Sequence, residues 1–153
     1  MITMTTDTNK FTTIDSELKT LLESLVDDNN KPYFKTVIRG IPNANYRGFN
    51  FPVAITRITG ANYTTATFNK RNTAEYVNSS IGVLVAGDVQ GSYDFLLEIM
   101  DKIQEKFETD DTWIYLNNKV RLTKLESSAI NDISSDESLI RIGVFSLKHH
   151  VYK

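Results

Sequence analysis

Cysteine is absent from the 153 residues, and histidine occurs only twice. The first absence excludes a disulfide scaffold, thiolate zinc sites and cysteine nucleophiles together. The second leaves few groups able to exchange a proton near neutral pH. No apolar run approaches the roughly 20 residues needed to cross a bilayer as a helix. The opening residues MITMTTDTNK are polar where a signal peptide needs an apolar centre. An intracellular protein without membrane association, with a loose arm over residues 1–12, is the expectation. An excess of one charge sign is also missing: 17 Lys and Arg stand against 19 Asp and Glu, a net charge of −2. No overall field draws the chain to nucleic acid.

What is present is periodicity. Leu18, Leu21, Leu22, Leu25 and Val26 recur at i, i+3, i+4, i+7 and i+8, which predicts a helix from about Thr13 with Asp15 and Glu17 in its first turn. DDNNKP, Asp27 to Pro32, ends it. This run lacks the alternating ligands and glycine of a calcium loop, so it reads as a helix stop. From Tyr33 to Arg39 the period becomes two, a strand, and residues 41–52 read as a loop. Val53 to Gly60 and Asn62 to Phe68 are strand-like, and AEYVNSSIGVLVAG continues after NKRN, predicting one long hairpin or a pair. A second helix opens near Ser92, with Leu96, Ile99, Met100, Ile103 and Phe107 on its apolar stripe and Glu98 four residues before Lys102. TWIYLNNKVRLTKL reads as strand, turn at Asn117 and Asn118, strand. Residues 126–138 read as a polar linker, and LIRIGVFSL, apolar on both faces, as a central strand. The fold class expected is therefore α+β, a mostly antiparallel sheet of about five to seven strands packed with two amphipathic helices in a single domain, residues 13–153.

Chemistry-bearing residues are sparse. His149 and His150 are adjacent, so on a strand they face opposite ways and cannot hold one metal together. Glu108, Asp110 and Asp111 could form an acid–base pair, but nothing nearby in sequence would raise one of their pKa values, and loop solvation is the better reading. Gly82, Gly87 and Gly91 precede a helix without the G-x-G-x-x-G spacing of a dinucleotide loop. No catalytic residue, metal or cofactor is expected, and the chain is read as not an enzyme.

FPVAITRITGANYT, followed by a strand ending IGVLVAGD and the helix YDFLLEIMDKIQEKF, resembles the tail terminator proteins of long-tailed bacteriophages, the minor tail protein U type. The motif residues are Phe51, Pro52, Val53, Ile55, Thr59, Gly60 and Tyr63. The long N-terminal arm and the insert before the last strand depart from that pattern. The resemblance implies a structural virion protein that assembles with itself into a ring, a hexamer. Such a ring stops polymerisation of the tail tube protein, offers its other face to the head connector in the neck, and lets DNA pass through its lumen. Assembly in the host cytoplasm and residence in the virion follow. Alternatives are a head-to-tail joining protein, or a small-ligand or regulatory α+β domain. Phe68, Lys70, Arg71 and Asn72, at the tip between two strands, are the candidate subunit or partner interface.

Overall fold

The computed structural model describes residues 10–40, 49–65, 72–135 and 138–152. Helix α1 is Lys10–Ser24, followed by strands β1 Thr36–Arg39, β2 Val53–Thr65 and β3 Asn72–Ala86. Helices α2 Ser92–Thr109 and α3 Asp111–Ile114 then lead to strands β4 Leu122–Ser135 and β5 Ser138–His150. The strands form one five-stranded sheet in the order β1-β2-β3-β5-β4. All neighbours are antiparallel except β1 and β2, which run parallel. The fold is α+β, as its residue pattern predicts.

The helices lie on one side of the sheet. Leu18, Leu21 and Leu22 of α1 and Leu96, Ile99, Ile103 and Phe107 of α2 pack with Val77, Ile81, Val83 and Val85 of β3 and Phe145 and Leu147 of β5 in the main core. These strand residues are alternate positions, so one face of each strand is committed to the helices. Gly143 of β5 lets α2 come close, because a Cβ there would run into the Met100 side chain. Adding even one methyl-sized group at such a contact matters in an interior packed to crystal density.

Several local expectations are corrected. Helix α1 opens at Lys10, three residues ahead of the predicted Thr13. Asp15 therefore sits in its second turn, turned inward, where its Oδ2 accepts from Arg39 Nε at 2.6 Å. Glu98 does not pair with Lys102, whose Nζ reaches Asp28 at 3.4 Å. The two short strands predicted around Asn117 are a helical turn, α3, and one strand. Asp110 caps α3 through Thr112 N–H at 3.0 Å, and Leu116, Asn117 and Asn118 have φ of 44°, 54° and 66°. The Asn-Asn turn is real, but Trp113 and Leu116 fill the core beneath α2 instead of lying in a sheet. Residues 126–135 are no linker: they are the far half of β4, paired with β5 as far as Ser135 and Ser138. The helix stop at Asp27 is present, its Oδ1 accepting from the N–H of Asn29 at 2.8 Å and of Lys31 at 3.0 Å.

Candidate assembly surface

His149 and His150 face opposite sides of β5. His149 is fully buried on the helix side. Its Nε2 is 2.7 Å from Ser79 Oγ on β3 and its Nδ1 2.8 Å from Thr123 Oγ1 on β4. A neutral imidazole has one donor and one acceptor, and two hydroxyls satisfy both. Burial pushes its pKa down to about 3. The residue types invite comparison with a nucleophile–base relay, but a relay needs a substrate beside it, and this ring has no exposed surface. The three side chains tie three strands together. His150 is half-buried on the other face, its ring 4.3 Å from that of Tyr76 and edge-on to it. Burial, then Lys124 and Lys148, lower its pKa.

The sheet face turned away from the helices divides into two halves, which the register lays out row by row. At one end the rows are Ala86–Ile140–Ile133, Val53–Leu84–Ile142–Asn131 and Ile55–Gly82–Val144–Ala129. Val53, Leu84 and Ile140 are buried here, in a small second cluster with Phe49 and Phe51 packed on it. Toward the other end the rows become Arg57–Ser80–Ser146–Ser127, then Asn78–Lys148–Lys124, then Asn62–Tyr76–His150–Leu122. Lys148 Nζ stands 4.1 Å from the centroid of the Tyr76 ring and 3.7 Å from Glu126, the residue skipped at the β4 bulge. The paired positions of these three rows hold no acid.

Strand β4 is one of the two outer strands, and among the described residues nothing pairs with its free edge. From Glu126 to Ser134 every side chain is exposed. Ile130 and Ile133, which point to opposite faces, are each 41% exposed. A long edge with apolar side chains is a template for pairing with another chain. Its root is fixed by Arg141, whose Nη1 donates to Asp132 and whose Nε donates to Ser92 Oγ, both at 3.0 Å. Beside the start of α2 lies a cavity of about 240 Å³, lined by Phe51, Pro52, Val85, Val89 and Phe95 among others.

Of the interface residues expected from sequence, Phe68, Lys70 and Arg71 lie outside the described residues. Asn72 opens β3, opposite Thr65. Arg57, Lys124, Lys148 and Ile133 escaped the sequence reading because their common face is set by register across four strands, and Ile130 escaped it because the far half of β4 shows no alternation. Among the described residues no group of three His, Asp or Glu side chains could hold a metal ion. No protein-family model matches the chain. No curated protein matches it either.

Proposed function

We propose that this chain is a structural, non-enzymatic assembly protein that forms a ring, of the kind that ends the tail tube of a long-tailed bacteriophage and joins it to the head connector. The single observation that carries the reading is β4, a fourteen-residue edge strand exposed on both faces over its far half and bearing two partly exposed isoleucines. A monomer gains nothing from leaving such an edge open, whereas a subunit of an assembly covers it. The residues of the family resemblance also fit a building role: Val53 and Ile55 lie in β2 on the second cluster, and Phe51 packs on that cluster. In this reading six copies surround a lumen that passes DNA, with the tail tube protein on one face and the connector on the other. Electron micrographs of virions assembled without the protein test it. Overlong or headless tails are the expected outcome, and normal tails would end the proposal.

A second reading, a small-ligand or regulatory domain, rests on the cavity beside Phe51 and Phe95, whose volume would take one aromatic group. The two readings part on size: the ring-former runs as a concentration-dependent oligomer, the ligand domain as a monomer or small oligomer.

A further inference from the structure

The outer side of α2 carries Asp94, Glu98, Asp101, Glu105 and Glu108, all exposed. Their spacings of four, three, four and three residues place all five within an arc of about 80°. Like charges at these spacings repel and weaken a helix. No ion pair offsets them among the described residues, for the neighbouring Lys102 and Lys106 are turned to Asp28 and Asp110 at 3.4 and 3.3 Å. Such a stripe is destabilising in the free monomer and becomes favourable against a cationic surface.

The same chain holds that surface on its opposite side. The open half of the helix-free face presents Arg57 and Lys124, both exposed and without an ion pair among the described residues, with Lys148 between them over the Tyr76 ring. Arg57 and Lys124 lie three strand intervals apart, about 14 Å, and one row apart along the strands, about 7 Å, so roughly 16 Å in all. The acidic stripe runs along α2 for about 21 Å. The lengths match within a side chain's reach.

We infer that the open sheet face of one copy, through Arg57, Lys124 and Lys148, docks the carboxylate stripe of α2 of a second copy. This inference rests on the assembly reading above and names its contact. Because α2 and the open face lie on opposite sides of one sheet, the contact joins unlike surfaces. Each added copy leaves one of each unfilled, and the chain of contacts ends only when a ring closes. The exposed far half of β4 borders the same face and is covered at the rim of the same contact.

Two charge-reversed variants of the full chain test it. Asp101→Lys with Glu105→Lys makes the centre of the stripe cationic, and Arg57→Glu with Lys124→Glu makes the sheet face anionic. All four positions are exposed, so circular dichroism should report a native fold for both. By light scattering at low salt, wild type is expected to assemble and to weaken as salt is raised. Each variant alone should self-associate at least about ten-fold more weakly, since like charges now meet at the centre of the contact. Mixed in equal amounts, the variants should recover assembly, because each one's stripe then meets the other's sheet face. Assembly of either variant alone at wild-type strength, or no recovery on mixing, overturns the contact while leaving the ring reading standing. A wild type that stays monomeric at every concentration overturns both. A monomer that instead binds a thymine oligonucleotide through Arg57 and Lys124 gives the face to nucleic acid and overturns the contact too.

Discussion

One sheet presents two surfaces built from alternate residues of the same strands, and they obey different rules. The face under the helices is filled by Val77, Ile81, Val83, Phe145 and Leu147, each at or below 2% exposure, and a polar trio there, Ser79, His149 and Thr123, is closed on itself by hydrogen bonds. The other face is apolar where Phe49 and Phe51 cover it and turns cationic and aromatic where none of the described residues does. The covered face determines which fold the chain adopts. The open one is free to determine what the fold meets.

Substitutions should separate the two faces sharply. The largest effect belongs to Ile103→Asp, which buries an unpaired charge beneath α2 at a cost of several kcal/mol and should leave little soluble protein on expression. Leu25→Asp, also in the main core, should behave alike. Soluble, folded protein from both would undo the two-helix packing.

Next comes the histidine pair. His149→Leu strands the Ser79 and Thr123 hydroxyls in the core, each worth about 1–3 kcal/mol, whereas His150→Leu should change stability far less. The pH dependence adds a second readout. The folded pKa of His149, about 3, lies below the ordinary 6.5, so the fold favours the neutral ring. Its contribution is complete above pH 6.5 and is lost as pH falls toward 3, at up to about 1.4 kcal/mol per pH unit. Denaturant titrations between those limits should give a flatter curve for His149→Leu than for wild type. Parallel curves would mean the ring is not held neutral.

Two neighbouring glycines sharpen the comparison further. Gly143→Val drives a side chain against Met100 under α2 and should cost about 1–3 kcal/mol. Gly82→Ala, on the open face, finds only ordinary contacts with Leu84 at 3.7 Å and Ile55 at 3.9 Å and should stay within about 0.5 kcal/mol by chemical denaturation. Equal losses would contradict the difference in crowding. Reversing Asp101 and Glu105 to lysine relieves like-charge pairs along α2 and should raise the melting temperature of the monomer by about 2–4 °C. A lower melting temperature would mean those carboxylates already have partners. The smallest effect on folding is expected from Ile133→Lys, within about 0.5 kcal/mol, although the same change should weaken assembly in light scattering. Unchanged assembly would remove β4 from the contact.

The residues that announced themselves in the sequence are those with one face buried. The leucines of α1 and the stripe from Leu96 to Phe107 carry a helical period because the core selects every third or fourth position. Strand β5 was legible as interior because both of its faces meet neighbours. The far half of β4 was not, since its exposed residues show no alternation. Its strand conformation comes from the ladder with β5, which a local reading does not contain. Trp113 and Tyr115 look like strand residues, and the short helix overrides that preference because Asp110 caps it and Trp113 stacks edge-on against Phe107, ring centres 5.2 Å apart. The acidic stripe of α2 was fully present as a spacing of carboxylates, whereas its counterpart on the sheet requires knowing that β3 lies against β5.

That adjacency has a consequence in time. Strands β2 and β3 are neighbours in the sequence, as are β4 and β5, but the eleven register pairs from Tyr76–His150 to Ala86–Ile140 join segments separated by two helices and a strand. Closing so long a loop is costly in entropy, and pairings of this kind set the pace of folding. Arg57 belongs to the first pair of strands, Lys124 and Lys148 to the second. They form one platform only after the seam has closed, so a half-folded chain offers a partner no landing place, and admission to the assembly is delayed until the subunit is finished.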